Sequence, residues 1–170
     1  IAGKDDIAAA PIIFPMIPPL MTAGETPTIF PGLEQPFVIG SIDTPDGQVA
    51  QVSSTLTWRD RWGTVKARWG VGRMNYTVEP GLYALGNPGS QSHVLVTANY
   101  KMSFDRLREF LSGRDVWLLV LDTKGINVWC AAGKKTFGTE ELVSRIKKHE
   151  LEKLVTQGKL IVPQLGATGV

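Results

Sequence analysis

The chain has 170 residues, and its 18 basic and 16 acidic side chains give a formal net charge of +2. So small a charge argues against a general binder of polyanions, and the length suits a single domain with a sizeable core. The single cysteine excludes an internal disulfide, a zinc site of several cysteines and a self-contained iron–sulfur cluster. A lone free thiol also predicts a reducing, cytosolic compartment.

Proline dominates the start of the chain. Eight of the eleven prolines lie between Pro11 and Pro45, and proline both fixes φ and removes a backbone donor. We therefore expect residues 1–35 to form an extended arm in front of an α/β domain at 36–170. Prolines also interrupt the uncharged stretch 7–23 too often for a membrane-spanning helix. The chain starts without methionine and ends in a loop-like segment, which predicts a piece of a longer protein.

A hairpin and a helix come next. Residues 37–39 and 49–57 are strand-like and flank a turn at 44–47, which predicts a β-hairpin. A helix should follow, because Thr57 and Asp60 form a capping-box pair and a glycine at position 70 supplies a stop. Its large apolar side chains recur at steps of four, three and four along one face (Trp58, Trp62, Val65 and Trp69).

The tryptophan helix allows two interpretations. Aromatic side chains at helical spacing usually pack in a core, so we expect the tryptophans to point inwards. The basic side chains of the helix would then face solvent (Arg59, Arg61, Lys66 and Arg68). The alternative is that this helix makes the chain a nucleic-acid or membrane-surface binding module.

The second half of the chain alternates strands with helices. One helix is predicted from Ser103, as N-cap, to just before Gly113, and another from about Thr139. Continuous apolar strands separated by helices are typical of a parallel sheet covered on both faces. The predicted fold class is therefore α/β, a Rossmann-like or flavodoxin-like parallel sheet with a short cap helix, preceded by the hairpin and the proline-rich arm. Its strands are predicted at four places (82–85, 94–98, 116–121 and 160–162).

Polar segments follow three of these strands. In a parallel sheet the ligand lies outside the carboxyl ends of the strands, so residues 97–100, 122–127 and 164–167 should meet at one rim. Asn127 is a good N-cap for a short turn that ends at a glycine, which places Cys130 in the first helical turn. A helix N-terminus favours the thiolate, so Cys130 is suited to act as a ligand or a nucleophile. The alternative is a small buried hydrophobic side chain.

Two other nucleotide-binding motifs are present only in part. Gly133-Lys134 lacks both the earlier glycine and the following Ser or Thr of a phosphate-binding loop, and Gly70-Val71-Gly72 lacks the third glycine of a dinucleotide fingerprint. A nucleophilic pair of Cys130 with His93 or His149 stays open.

The run that carries the cysteine is the most specific one in the chain. Gly-Ile-Asn-Val-Trp-Cys-Ala-Ala-Gly-Lys at 125–134, then Thr-Phe-Gly-Thr-Glu-Glu-Leu at 136–142, closely resembles the corrinoid domain of the mercury-methylating corrinoid proteins. That family is related to the large subunit of the corrinoid iron–sulfur protein of acetyl-CoA synthesis, which has threonine where this chain has Cys130. Shorter matches extend the resemblance over roughly 36–170 (72–74, 80–83, 96–101 and 163–166).

The resemblance implies a corrinoid-dependent methyltransferase domain that transfers a methyl group from cobalt to Hg(II). The cobalamin-type corrinoid would bind base-off, with Cys130 as lower axial ligand to cobalt. A soft anionic thiolate donates electron density to the metal, which favours departure of the methyl group towards an electrophile. The alternative is a corrinoid methyl carrier of the acetyl-CoA synthesis type. Further cofactor-binding residues are implied on the cap turn and the rim (Asn127, Val128, Trp129, Ala131, Ala132, Gly133, Thr97, Asn99, Thr123 and Gln164).

The resemblance also implies partners and a location. We expect a ferredoxin-like partner with two 4Fe–4S clusters, because one cysteine cannot hold a cluster in this chain. A separate methyltransferase would donate the methyl group. A membrane domain is expected after residue 170, which would place this domain at the cytoplasmic face of the inner membrane. Nucleic acid is not an expected partner.

Overall fold

The computed structural model describes residues 30–72, 75–127 and 138–162. They form one mixed sheet with helices on both faces, which confirms the Rossmann-like or flavodoxin-like α/β class. The helices are α1 (Trp58–Arg68), α2 (Lys101–Phe110), α3 (Thr139–Lys148) and α4 (Leu151–Leu154). The strands are β1 (Val38–Thr44), β2 (Gly47–Val52), β3 (Gly81–Leu85), β4 (Val94–Ala98), β5 (Val116–Leu121) and β6 (Leu160–Ile161), in the order β1-β2-β3-β5-β4-β6.

The predicted hairpin is confirmed, with a shorter second strand. β1 pairs antiparallel with β2, and Thr44 lies opposite Gly47 across the turn. β2 ends at Val52 rather than at residue 57. Both partner strands end opposite Val52, at Val38 and Leu85. Beyond that point the carbonyl oxygens of Ser53 and Thr55 accept hydrogen bonds from Nη1 of the buried Arg108 guanidinium.

The sheet is mixed rather than parallel throughout, and β2 pairs parallel with β3. β4 pairs parallel with β5 and with β6, as the alternation of strands and helices predicts. β3 instead runs antiparallel to β5. The short turn segment 86–93 reverses the chain between β3 and β4. Because β5 lies between these two strands and is parallel to β4, it is antiparallel to β3.

Two hydrophobic layers cover the two faces of the sheet. Successive side chains of β5 alternate between them: Leu118 and Val120 pack with Phe104 of α2, and Leu119 and Leu121 pack in the layer that includes residues of α3 and α4. The connection from β4 to β5 therefore crosses one face and the connection from β5 to β6 crosses the other. Such a reversal creates a topological switch point at the carboxyl ends of β4 and β5.

The predicted boundaries of α1 are confirmed, and its predicted orientation is wrong. The capping box is present: the Thr57 hydroxyl accepts from the Asp60 backbone N–H, and Asp60 Oδ2 accepts from the Thr57 backbone N–H. Yet Trp58, Trp62 and Trp69 are 72%, 58% and 84% exposed. The face that packs against the protein is the polar one, because buried Asp60 binds two cationic side chains of α2.

The prediction that Ser103 caps α2 is also wrong. The helix begins three residues earlier than that cap predicts, at Lys101, with Tyr100 as N-cap. The Ser103 hydroxyl is used elsewhere, since it donates to a side chain of the loop after β5. Among the described residues, no helix is both long and apolar enough to cross a membrane.

Candidate functional site at the ends of the parallel strands

The candidate site lies at the switch point, where Asn99 joins the ends of β4 and β5. Its backbone N–H donates to the carbonyl of Leu121 at 2.9 Å, one step beyond the paired strands. Its side chain is buried, and Oδ1 accepts hydrogen bonds from the backbone N–H groups of Thr123 at 3.1 Å and Gly125 at 3.0 Å. Nδ2 donates to Asp122 Oδ1 at 3.3 Å. Asn99 therefore fixes the loop that leaves β5.

The backbone of that loop is tightly folded. Lys124 and Gly125 both have positive φ, 58° and 70°, a region that glycine enters freely and lysine rarely. The hydroxyl of Thr123 lies between two acceptors, 2.9 Å from Asn99 Oδ1 and 2.6 Å from the carbonyl oxygen of Ile126. These contacts turn the chain sharply after β5 and direct it towards residue 127.

Two helices hold the ends of the loop. On one side, the hydroxyl of Ser103 in α2 donates to Asn127 Oδ1 at 3.0 Å. On the other, Glu141 of α3 accepts from the backbone N–H of Asp122 at 3.1 Å and from Arg145 Nε at 2.7 Å. Residues 122–127 are thus anchored by β4, α2 and α3 together. A carbonyl oxygen has two acceptor sites, so Asn127 keeps one for the predicted N-cap bond.

The charges of the loop are paired with each other. Burial would raise the pKa of Asp122, but hydrogen bonds from the side chain and backbone of Lys124 and the charges of Lys124 and Arg145 lower it below its ordinary value. The hydrogen bond with Asp122 and its charge in turn raise the pKa of Lys124. The charges in the described part of the rim therefore balance, and the amide of Asn99 and the hydroxyl of Thr123 are buried and hydrogen-bonded within the loop.

The structure brings together three of the predicted cofactor-binding residues, Asn99, Thr123 and Asn127. Thr97 lies two residues before Asn99 in the chain. It is buried in β4 and paired with Val120 of β5. The rest of the predicted site lies outside the described residues (Val128, Trp129, Cys130, Ala131, Ala132, Gly133 and Gln164).

The sequence did not predict two residues that position the loop. Ser103 holds Asn127 rather than capping α2, and Glu141 holds the backbone of Asp122. The spacing of Glu141 and Arg145 predicts an i, i+4 ion pair on a helix. Nothing in the sequence indicates that the same carboxylate accepts a hydrogen bond from the loop of a distant strand. That contact depends on how α3 lies across the sheet.

Sequence comparison relates this rim to known proteins. A profile of the CO dehydrogenase/acetyl-CoA synthase delta subunit family matches residues 65–169, more than half of the chain. The acetyl-CoA decarbonylase/synthase complex subunit gamma of Methanopyrus kandleri is 35% identical over 88 residues, which are 51% of this chain and 19% of the relative. The subunits of the same name from Archaeoglobus fulgidus and Methanocaldococcus jannaschii are 30% and 33% identical over 53% and 56% of this chain, and 20% of each relative. The match thus spans about a fifth of the length of these relatives.

Proposed function

The chain belongs to the CO dehydrogenase/acetyl-CoA synthase delta subunit family, and on that basis we propose that it binds a corrinoid and takes part in methyl transfer. The match to residues 65–169 carries the proposal, because it includes both described segments of the rim. The names of the relatives refer to acetyl-CoA decarbonylase/synthase complexes. They support a methyl carrier of the acetyl-CoA synthesis type better than a mercury-methylating enzyme.

The described residues of the rim fit a corrinoid. The edge of a corrin ring carries uncharged amide side chains, and the charges in the described part of the rim balance because Asp122 pairs with Lys124. No group of three or more His, Cys, Asp or Glu side chains within residues 30–72, 75–127 and 138–162 could hold a metal ion by itself. When bound, the corrinoid supplies a cobalt atom that accepts and releases a methyl group.

We propose three kinds of role for the chain's own residues. Asn99 and Thr123 position the loop after β5, and Asn127 caps the turn that carries Cys130. Cys130 would be the side chain that faces the metal of a bound corrinoid. The remaining proposed contacts to the corrin or its nucleotide tail are Thr97, Val128, Trp129, Ala131, Ala132, Gly133 and Gln164.

The test is a titration of the chain with aquacobalamin, followed by visible absorption. We expect a base-off spectrum for the wild-type chain and for Cys130→Ala, since the proposed contacts are spread over the rim, with a difference between the two in the bands that depend on thiolate. Asn99→Ala should weaken binding, and Asn87→Ala, at an exposed asparagine of the turn between β3 and β4, is its matched control. Identical spectra for wild type and Cys130→Ala would contradict cobalt coordination, and no spectral change at all would contradict corrinoid binding.

Methyl transfer to Hg(II) is the second candidate function, and Cys130 is the observation that favours it. A thiolate is a soft, anionic donor, whereas threonine, which the resemblance assigns to the acetyl-CoA relative, is neutral and weak. Protein loaded with methylcobalamin should then convert Hg(II) to methylmercury, and Cys130→Thr should nearly abolish that conversion. The methyl-carrier role predicts the reverse, a harmless substitution and no methylmercury. Equal methylmercury yields from both proteins would contradict the thiolate argument.

Partners follow from the same proposal. A chain with one cysteine takes electrons from another protein, and we propose an iron–sulfur protein, of the ferredoxin-like kind with two 4Fe–4S clusters. A separate methyltransferase supplies the methyl group. A membrane domain beyond residue 170, and with it a place at the cytoplasmic face of the inner membrane, stays a prediction.

A further inference from the structure

Helix α1 carries an exposed aromatic stripe. At about 100° per residue, Trp58, Trp62, Val65 and Trp69 lie within roughly 60° of one another around the helix axis. All four are exposed, from 42% for Val65 to 84% for Trp69. Val71, 63% exposed, continues the stripe beyond the helix. Tryptophan is usually buried for most of its surface, so three exposed tryptophans in one row mark an interaction surface.

Basic side chains border this tryptophan stripe on both sides. The same helical spacing puts Arg59 and Lys66 along one edge and Arg61 and Arg68 along the other. All four are exposed. Within residues 58–72 the acidic side chain is Asp60, which is buried on the opposite face and does not offset these charges at the surface. Glu109 of α2 approaches Arg61 at 3.9 Å in an exposed ion pair and offsets part of the charge on that edge. The outer face of α1 is therefore an aromatic ridge between two rows of cations.

The outward orientation of the stripe is fixed by contacts on the inner face. Asp60 and Ala67 are buried, and Asp60 binds Lys101 and Arg108 of α2 at 2.7 and 3.0 Å. A Cβ atom at Gly63 would lie 2.7 Å from the ring of Tyr76, so the helix packs there with no room for a larger side chain. A helix held this way cannot rotate its tryptophans into the core.

We propose that the tryptophan stripe of α1 binds the surface of a membrane that contains anionic lipids. Tryptophan is enriched at the headgroup level of bilayers. Helices that lie in this interface combine an apolar face that contains tryptophan with lysine and arginine side chains on the polar part of their surface. Cations on both flanks reach the headgroups while the rings enter the boundary with the acyl chains. Each basic side chain near an anionic surface adds to the affinity. The residues of the stripe are different from those assigned to the rim.

Charge and shape disfavour two other occupants. A second copy of the chain would bring two rows of cations against two identical rows, which is repulsive. Single-stranded nucleic acid is usually bound in a basic groove lined with aromatic rings, whereas α1 presents a convex ridge. A bilayer surface is flat and negative, and it can accept such a ridge.

The experiment measures sedimentation of the full 170-residue chain with vesicles of phosphatidylglycerol and phosphatidylcholine, or of phosphatidylcholine alone. We expect binding to the anionic vesicles, a blue shift of tryptophan fluorescence, and loss of binding at high salt. Trp62→Ala or Trp69→Ala should weaken binding at least ~10-fold. The matched control is Phe110→Ala, since Phe110 is 84% exposed on α2, as exposed as Trp69 on α1.

A second pair of variants tests the charges. Lys66→Gln with Arg68→Gln should weaken binding by roughly 30-fold at low salt, from about fivefold per cation near an anionic surface. Lys147→Gln with Lys148→Gln removes two exposed cations from α3 and should leave binding unchanged. Circular dichroism checks that each variant is folded.

Four outcomes would overturn the proposal. They are no binding to anionic vesicles, equal binding to neutral ones, equal losses in the test and control variants, and tighter retention by a single-stranded oligonucleotide than by anionic vesicles at the same salt. Sedimentation velocity adds a fifth, a dimer of the free chain that Trp62→Ala dissociates.

Discussion

Asn99 holds two backbone N–H groups of the loop after β5 with a single side-chain oxygen, at 3.1 Å from Thr123 and 3.0 Å from Gly125. Both donors belong to buried residues, and a buried donor without a partner costs about 1–3 kcal/mol. We therefore expect Asn99→Ala to lower the free energy of unfolding by roughly 2–4 kcal/mol. Urea unfolding measures the change. Asn87→Ala, at an exposed position, is the control and should cost well under half as much; equal costs would contradict the role assigned to Asn99.

His149 is the second residue with a measurable consequence. Its ring is 1% exposed, stacks on Phe30 with 5.4 Å between centroids, and has no hydrogen-bond partner for either nitrogen among the described residues. Burial, together with the charges of Arg145 and Lys148, lowers the pKa of His149 from 6.5 to about 4. The unfolded chain therefore takes up a proton below pH 6.5 that the folded state takes up only near pH 4.

The sign of the pH effect follows from these two values. As the pH falls from 6.5 towards 4, the unfolded state is stabilised and the folded state is not, so the free energy of unfolding should drop by about 2–3 kcal/mol. His149→Leu should remove this part of the pH dependence, and His93→Leu, at an exposed histidine, should leave it intact. Urea midpoints at pH 7 and 4.5 provide the measurement. A pH dependence that survives in His149→Leu would show that other groups cause it.

At the scale of elements, α1 and α2 are joined by a buried charge cluster of Asp60, Lys101, Asp105 and Arg108. Arg108 is fully buried and binds Asp105 at 2.9 Å and Asp60 at 3.0 Å. Lys101 binds both carboxylates at 2.7 Å. Burial alone would raise the pKa of Asp60, but hydrogen bonds from Lys101 and from the Thr57 backbone, with the Lys101 charge, lower it to about 2.

We expect Arg108→Met to destabilise the protein by about 3–5 kcal/mol, because it leaves two buried carboxylates with one cation between them. Arg106→Met on the same helix is the control. Arg106 forms an exposed ion pair with Glu109, of a kind that contributes about 1 kcal/mol or less. Thermal unfolding at neutral pH compares the two variants, and similar losses of stability would contradict the importance of the cluster.

The same cluster explains which parts of the fold the sequence predicts. The bounds of α1 follow from local signals, the capping box at Thr57 and the helical spacing of its side chains. Its orientation does not, because periodicity defines a face without saying whether that face is buried. The contacts of buried Asp60 determine which face of α1 points inwards, and its partners lie 41 and 48 residues further along the chain.

Long-range contacts also account for what the sequence leaves open at the rim and in the sheet. The rim itself is predicted, because strand ends and polar segments are visible in the sequence. The direction of β3 and the hydrogen bond from Ser103 to Asn127 are not. Both depend on which element lies beside which in the folded chain.

At the scale of the whole molecule, the sheet makes one structural unit of the described residues. β5 pairs with β3 on one side and β4 on the other, and its side chains enter both hydrophobic layers. The rim sits at the end of the same two central strands, and Lys101 of the buried charge cluster lies two residues after Asn99. A small domain built around one sheet usually unfolds in a single cooperative transition. Binding at the rim should therefore stabilise the entire unit rather than one loop.

Urea unfolding with and without aquacobalamin tests this coupling. We expect coincident transitions by far-ultraviolet circular dichroism and by tryptophan fluorescence, to which buried Trp117 contributes. At a free corrinoid concentration of 100 times Kd, both should shift by about 2.7 kcal/mol, since the ligand binds the folded state alone. NADH is the control ligand and should shift neither transition, because the third glycine of a dinucleotide fingerprint is replaced by Asn75. Separate transitions for the two probes would contradict the single unit, and a shift by NADH equal to that by the corrinoid would mean that the rim recognises nucleotides rather than a corrin.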